Sequence, residues 1–265
     1  IRQDNTTPIL GDFTQLSASL GGQPETFYTA NNGFTNQSWR VYQSNQPQAF
    51  SPGVTLNIKQ GEVVSLLGRN GVGRSTAIKS IMGMVDIEGS ILFNGLEIVG
   101  KKIHQISNLG IGYVSESREI FPDLTVLENL ELGKKSENKK DWDIEEFFDL
   151  FPNLKNRIDV PGGLLSGGEQ QMLTICRTLM GNPKLIMIDE PTEGLSPQMV
   201  ENVENLIKQI SKKGISILLV EQKLTIAFNL SNRLYVMGHG KIVYEGTAKE
   251  IRNNDAVIKE WLEVS

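Results

Sequence analysis

The fold is decided by one stretch of the chain, which reads Val63-Val64-Ser65-Leu66-Leu67-Gly68-Arg69-Asn70-Gly71-Val72-Gly73-Arg74-Ser75-Thr76. The apolar run Val63–Leu67 predicts a buried strand, and the apolar positions that follow Thr76 predict a helix. Glycines between a strand and a helix let the backbone turn tightly and point successive N–H groups inward, so that they surround a polyphosphate at the positive helix end. The stretch therefore predicts a phosphate-binding loop over residues 68–76, with the Ser75 hydroxyl as a ligand of Mg²⁺.

One residue of this loop departs from the phosphate-loop pattern, because Arg74 stands where the pattern has a lysine. A lysine reaches the β- and γ-phosphates as a compact point charge, whereas a guanidinium is planar, wider and prefers forked contacts. We expect Arg74 to weaken nucleotide binding and to slow hydrolysis more strongly. This leaves an alternative function open, a regulatory or hydrolysis-impaired module that closes on ATP and hardly hydrolyses it.

A second motif is the apolar run Leu185–Ile188 followed by Asp189-Glu190, which predicts a strand that ends in two carboxylates. Open α/β sheets bind ligands at the carboxyl ends of their strands. Asp189 would hold Mg²⁺ through water, and Glu190 would polarise the water that attacks the γ-phosphorus. Alone, the motif also fits an ordinary strand end, but together with the phosphate loop it predicts a nucleoside triphosphatase.

A third motif, Leu165-Ser166-Gly167-Gly168-Glu169-Gln170-Gln171, begins the helix that precedes this strand. The three motifs in this order resemble the ABC ATPase family over about residues 54–264. The resemblance implies an α/β P-loop NTPase core, with a mainly parallel sheet flanked by helices, an antiparallel β subdomain and a helical insertion. It also implies that the helix start formed by Ser166, Gly167, Gly168 and Glu169 binds the γ-phosphate of an ATP molecule held by another subunit.

Within that family the chain is most similar to the ATPases of branched-chain amino acid and related amide or urea importers. The similarity lies in His104-Gln105-Ile106, Gly110-Ile111-Gly112-Tyr113-Val114, Gly168-Glu169-Gln170-Gln171-Met172-Leu173, Glu193-Gly194-Leu195-Ser196-Pro197 and Leu219-Val220-Glu221-Gln222. Glu116 stands where most ABC ATPases have a glutamine that links Mg²⁺ and the attacking water to the membrane subunit. Gln222 stands where most have a histidine that contacts the γ-phosphate. The resemblance thus implies catalytic roles for Glu116, Gln222 and Glu190, and a metal-binding role for Glu116.

The first fifty residues differ in composition from the rest, being rich in Asn, Gln, Thr, Ser and Gly and containing no lysine. We expect residues 1–50 to be a poorly ordered or loosely packed extension, with a short β element around 25–30 or 39–43 as the alternative. Residues 51–265 would form the ATP-binding domain, with a helical subdomain over about 116–166. Tyr42 is the candidate for the aromatic side chain that stacks on adenine, with Trp39 as second choice.

Local patterns predict the remaining elements of the domain. Alternation over residues 54–58 and the Gln60-Gly61 turn predict a hairpin with the strand Val63–Leu67. Residues 125–160 are predicted to be helical, beginning with Thr125 and Glu128 at capping-box spacing. Strands then alternate with helices, which predicts a parallel sheet.

Composition limits the class of protein. With 26 Lys and Arg against 31 Asp and Glu, the net charge is −5 and the charges are interspersed, which argues against a nucleic-acid partner. The single cysteine, Cys176, excludes an intrachain disulfide and is expected to be a small core residue. No apolar run approaches the ~20 residues that span a bilayer, and no secretory signal is visible, so we expect a cytoplasmic setting.

These observations and the resemblance predict an ATP-binding and ATP-hydrolysing subunit that powers solute import, with ATP and Mg²⁺ as cofactors. The implied partners are transmembrane permease subunits, a second ATP-binding subunit of the same or another kind and, indirectly, a solute-binding protein. The implied location is the cytoplasmic face of the inner membrane. A third hypothesis, an ABC ATPase acting on DNA or ribosomes, lacks the expected coiled-coil insertion, duplicated cassette and basic surface.

Overall fold

The structure is a computed structural model that describes residues 16–19, 54–135 and 142–263, with only the backbone described at 16–19. Its strands are β1 Leu16–Ser19, β2 Asn57–Ile58, β3 Val63–Leu67, β4 Ser90–Phe93, β5 Leu96–Glu97, β6 Ile111–Val114, β7 Leu185–Asp189, β8 Ser216–Val220, β9 Arg233–Gly238 and β10 Lys241–Gly246. Its α-helices are α1 Arg74–Ile81, α2 Ile103–Asn108, α3 Val126–Leu132, α4 Ile144–Leu150, α5 Pro152–Lys155, α6 Gly167–Leu179, α7 Pro197–Lys212, α8 Leu224–Leu230, α9 Ala248–Arg252 and α10 Asp255–Val257. A 3₁₀ turn, Gly162–Leu164, precedes α6, and a π-helical turn, Ile258–Leu262, follows α10.

The larger sheet has six strands in the order β10-β9-β3-β8-β7-β6. All neighbours are parallel except β9 and β10, which form an antiparallel pair at the edge. Every residue of β3, β7 and β8 is buried, as expected for parallel strands covered by helices on both faces. This arrangement confirms the predicted parallel sheet and sets the carboxyl ends of β3, β8, β7 and β6 side by side.

The smaller sheet is antiparallel, in the order β2-β1-β4-β5. The predicted hairpin between residues 54–58 and Val63–Leu67 is wrong, because β2 pairs with β1 and β3 lies between β8 and β9. Both edges of β3 are taken by parallel neighbours, and Gly61, with φ 69°, turns the chain from one sheet into the other. A turn pattern predicts a change of direction but does not say which strand becomes the partner.

Strand β1 lies within the polar stretch 1–50, at a position that the sequence did not indicate. Its register pairs Leu16 with Ile58 on one side and with Phe93 on the other. The β elements considered around 25–30 and 39–43, and with them Trp39 and Tyr42, lie outside the described residues. Strand β1 therefore takes the central place that joins β2 to the β4–β5 hairpin.

Three hydrophobic clusters hold the layers together. The first lies between α3–α7 and one face of the large sheet and contains the predicted core residue Cys176, which is fully buried. The second lies between the small sheet, α1 and the opposite face. The third packs α8 and the C-terminal helices against β9. Burial of apolar area on both faces is the main source of stability for such a layered domain.

Among the described residues of the stretch predicted to be helical, 125–135 and 142–160, the structure has the short helices α3, α4 and α5. Thr125 and Glu128 form the predicted capping box, since the Thr125 hydroxyl accepts from the Glu128 N–H and the Glu128 carboxylate accepts from the Thr125 N–H. Among residues 54–135 and 142–263, no helix combines the length and the apolar character needed to cross a membrane.

The two sheets are also joined by one arginine. Arg233, the first residue of β9, donates to both carboxylate oxygens of Glu62, each at 2.9 Å, and to Glu245 of β10 at 2.6 Å. It also donates to the carbonyl and side-chain oxygens of Asn57 on β2, at 2.8 and 2.7 Å. These charge-assisted bonds connect the small sheet with the edge of the large one.

Candidate nucleotide-binding and hydrolytic site

The predicted phosphate loop connects β3 to α1, as expected. Gly71 and Gly73 have φ values of 80° and 103°, a region that glycine adopts without the steric cost paid by other residues. At Gly68 a Cβ atom would lie 2.6 Å from the carbonyl oxygen of Met237, so only glycine fits there. Gly73 is also the N-cap of α1 and has no side chain to occupy the helix start. The first N–H groups of α1 are thus left for an anionic ligand.

The unusual Arg74 is buried and donates hydrogen bonds to three groups of the protein. Its Nη2 donates to the Glu190 carboxylate at 2.5 Å and to Asn70 Oδ1 at 2.9 Å, and its Nη1 donates to the Glu221 carbonyl at 3.0 Å. The side chains of Arg74 and Glu190 are only 5% and 11% exposed. The guanidinium therefore bridges the phosphate loop, the end of β7 and the loop after β8.

The two predicted Mg²⁺ ligands lie next to each other. The Ser75 hydroxyl donates to Asp189 Oδ1 at 3.2 Å, and Asp189 Oδ2 is buried with no hydrogen-bond partner among the described residues. Burial raises the pKa of Asp189, and the hydrogen bond from Ser75 opposes that rise. A buried carboxylate oxygen without a donor is costly, and Mg²⁺ prefers oxygen ligands. Ser75 and Asp189 therefore fit an Mg²⁺ ion.

Glu190 has the properties of a general base. Its φ of 45° is rare for a residue other than glycine, and such strain is concentrated at functional sites. Its pKa is raised to about 7, mainly by burial, and Glu193 and Glu116 add to this rise while the Arg74 charge opposes it. A carboxylate with a pKa near neutrality is well matched to accept a proton at physiological pH.

Glu116 and Gln222 lie in the loops that follow β6 and β8, on either side of β7. Both residues are exposed. The charge of Glu116 raises the pKa of both Asp189 and Glu190, which places the Glu116 carboxylate within electrostatic reach of these two residues. The backbone N–H of Gln222 donates to the side chain of Glu221 at 3.1 Å. The strand order thus brings Glu116 and Gln222 to the same sheet edge as Asp189 and Glu190.

The third motif, residues 165–171, begins α6 as predicted, with Ser166 as N-cap. Glu169 closes the capping box by accepting from the Ser166 N–H at 2.8 Å, and it also forms an ion pair with Arg157 at 3.4 Å. In the described part of the chain, none of the hydrogen bonds of Ser166 and Glu169 reaches residues 68–76. The exposed Ser166 hydroxyl and the N–H groups of Gly167 and Gly168 are the groups left for a ligand from outside this chain.

Two buried residues near the site were not expected from the sequence. The Thr192 hydroxyl donates to the Glu221 carboxylate at 2.6 Å, and Thr192 and Glu221 are 0% and 2% exposed. They follow β7 and β8, so their contact depends on the pairing of these strands, and no local pattern connects residues 29 positions apart. The only available signal is that Thr192 directly follows Asp189-Glu190-Pro191 and that Glu221 directly precedes Gln222.

The fold and the site define an ATPase of the P-loop class, with a phosphate loop before α1 and the carboxylates of Asp189 and Glu190 at the end of β7. The family model described as ABC transporter matches residues 52–193. The chain belongs to this family, as one of its ATP-hydrolysing subunits.

Known proteins of the family are similar over nearly their whole length. The chain is 39% identical to the high-affinity branched-chain amino acid transport ATP-binding protein BraG of Pseudomonas aeruginosa, over 79% of this chain and 91% of BraG. It is 33% identical to the lipopolysaccharide export system ATP-binding protein LptB of Haemophilus influenzae, over 79% of this chain and 89% of LptB. A dimeric post-hydrolysis structure of an ATP-binding cassette bound to ADP and Pi superposes with a TM-score of 0.67 at 25% identity. The superposition covers 80% of this chain and 97% of that cassette.

Proposed function

We propose that this chain hydrolyses Mg-ATP to power the import of branched-chain amino acids or related small amides through an ABC transporter. The observation that carries the hydrolytic part is the arrangement at the end of β7, where Asp189 presents an unpaired buried oxygen beside Ser75 and where Glu190 has a pKa near 7. The identity to BraG over 91% of that protein supports the choice of solute.

In this proposal Ser75 and Asp189 would hold Mg²⁺, which would supply positive charge for the β- and γ-phosphates. The N–H groups of residues 68–76 bind the phosphate oxygens at the start of α1. Glu190 accepts the proton of the attacking water, which requires that its carboxylate leaves Arg74. Gln222 and Glu116 orient this water from the loops on either side.

The other half of each site comes from a second ATP-binding subunit. Ser166, Gly167 and Gly168 offer a hydroxyl and N–H groups at the start of α6, and the described hydrogen bonds of Ser166 do not reach residues 68–76 of the same chain. We therefore propose a dimer in which two ATP molecules are each bound between one phosphate loop and the other subunit's α6. Glu169 contributes by fixing the helix start, since its carboxylate is engaged by Ser166 and Arg157.

The proposed assembly attaches the chain to the cytoplasmic face of the membrane through permease subunits, with a solute-binding protein as an indirect partner. Two large apolar side chains, Phe121 and Leu164, are 49% and 71% exposed near the Glu116 loop and the helical subdomain. Exposed apolar side chains of this size favour a protein contact. We propose that the permease docks there.

Two measurements on the same variants test the proposal. Purified protein should release phosphate from Mg-ATP, and Glu190→Gln should abolish release while retaining ATP binding. In cells, uptake of labelled leucine should require the chain and should be lost with Glu190→Gln; Glu201→Gln, on the exposed side of α7, is the matched control. If cells without the active chain take up leucine normally but have a defect in lipopolysaccharide export, the chain would instead have the activity for which LptB is named.

One specific observation favours a second candidate function, a module that binds ATP and hardly hydrolyses it. Arg74 holds the Glu190 carboxylate in a buried ion pair, and a base held in this way cannot receive a proton from water. Phosphate release by the unchanged chain that stays at background, and rises in Arg74→Lys, would support this second function over the first.

A further inference from the structure

The buried pair Thr192 and Glu221 connects the loop after β7 with the loop after β8. Glu221 Oε1 accepts the Thr192 hydroxyl at 2.6 Å, and its Oε2 accepts the backbone N–H groups of Gln222 and Lys223, each at 3.1 Å. A second link runs in the opposite direction, since Lys223 Nζ donates to the Thr192 carbonyl at 3.0 Å. We propose that Thr192 and Glu221 are positioning residues that hold Gln222 in place relative to Glu190.

The geometry of the carboxylate supports a positioning role. Glu221 is 2% exposed, so its charge depends on its three hydrogen bonds for compensation. Two of these bonds come from the very peptide groups that carry Gln222 and the next residue, and together they fix the start of that loop. The third comes from a side chain two positions after Glu190. The loop conformation at residue 222 is therefore set from the β7 side of the site.

Hydrogen bonds to the backbone also join the ends of β7, β8 and the phosphate loop close to Thr192 and Glu221. The Glu190 N–H donates to the Val220 carbonyl at 2.9 Å, so the ends of β7 and β8 are already joined next to the base. Arg74 Nη1 donates to the Glu221 carbonyl, which brings the phosphate loop to the same point. A change at Thr192 thus reaches Gln222 through Glu221, without touching a residue that is proposed to contact ATP.

The decisive variant is Thr192→Val, which keeps the shape of the side chain and removes the hydroxyl donor. This inference rests on the proposed function, in which Gln222 orients the attacking water. We expect kcat for ATP hydrolysis to fall about tenfold with KM changed less than about twofold, because the loss affects orientation in the transition state and not nucleotide binding. Thr192→Ser keeps the donor and should retain the activity. Thr178→Val, which removes a hydroxyl bonded only within α6, is the matched control.

A double-mutant cycle separates positioning from general stability. If Thr192 acts through residue 222, the variant Thr192→Val with Gln222→Ala should have the kcat of Gln222→Ala alone, since coupled residues are not additive. Additive losses would overturn the proposal. Lys223→Met removes the hydrogen bond from Lys223 Nζ to the Thr192 carbonyl and should also lower kcat. Because Lys223 is exposed, this variant keeps the test valid if Thr192→Val folds poorly.

Hydrogen exchange of the nucleotide-free protein gives a readout that does not depend on activity. The amides of Gln222 and Lys223 should exchange about tenfold faster in Thr192→Val and at the original rate in Thr192→Ser. Unchanged exchange at both amides in Thr192→Val would overturn the inference. Absence of hydrolysis by the unchanged chain would instead contradict the proposed function, so the two failures are distinguishable.

Discussion

Replacement of Arg74 by lysine should increase the rate of ATP hydrolysis. Arg74 contacts three groups through two different nitrogens, namely Glu190 and Asn70 through Nη2 and the Glu221 carbonyl through Nη1. A lysine has a single nitrogen and cannot bridge all three groups, while its compact charge suits the phosphates. The Glu190 carboxylate should then be free for water.

The magnitude follows from the bond that must break in each turnover. A hydrogen bond between charged groups contributes about 1.5–3 kcal/mol, and the low exposure of both side chains means that solvent screening reduces it little. Since about 1.4 kcal/mol corresponds to a tenfold change in rate, Arg74→Lys should raise kcat roughly 10- to 100-fold. The ATP dissociation constant should decrease more modestly.

Steady-state phosphate release and equilibrium binding of a fluorescent ATP analogue measure these two quantities separately. Arg252→Lys, an arginine on α9 whose guanidinium lies over the Phe228 ring, controls for the change of residue type. Arg74→Lys combined with Glu190→Gln should be inactive, which shows that the gained activity uses Glu190. A kcat for Arg74→Lys within twofold of the unchanged chain, with ATP still bound, would refute the view that this ion pair limits hydrolysis.

Three further predictions concern the proposed base Glu190, the proposed metal ligand Asp189 and the phosphate loop. Because Glu190 has a pKa of about 7 and acts as a base only when deprotonated, kcat/KM should fall about tenfold per pH unit below that value, and a flat profile down to about pH 5.5 would contradict its role. Asp189→Asn should raise the Mg²⁺ concentration for half-maximal hydrolysis at least about tenfold in an Mg²⁺ titration, because the amide lacks the negative charge beside Ser75. Gly68→Ala should lower the free energy of unfolding by about 1–3 kcal/mol in urea, since its Cβ would lie 2.6 Å from the Met237 carbonyl oxygen; unchanged stability would show that the loop can shift.

Much of the catalytic core could be predicted from sequence because its signals are local. Strand β7 and its two carboxylates follow from an apolar run and the two residues after it, and the start of α6 falls within the motif of residues 165–171 where it was predicted. Each of these signals involves residues at most a few positions apart, where periodicity and capping apply directly.

The features that the sequence did not reveal depend on residues distant along the chain. The partner of β2 is β1, about forty residues upstream, and the weak alternation of Leu16–Ser19 gave no indication of it. The Arg74 contact with Glu190 spans 116 positions, and the Thr192 contact with Glu221 spans 29. A motif predicts which side chain is present at a site, but strand pairing decides which neighbour that side chain meets.

The bonds of Arg233 have a consequence for exchanging parts between relatives. This one guanidinium holds Asn57 and Glu62, on either side of the turn that joins the two sheets, together with Glu245 in the last hairpin. A chimera that received its small sheet from another protein, without acceptors matching Asn57 and Glu62, would bury an arginine charge with too few partners. The small sheet and the β9–β10 hairpin should therefore be exchanged together in a chimera, although some 170 residues of sequence separate Glu62 from Arg233.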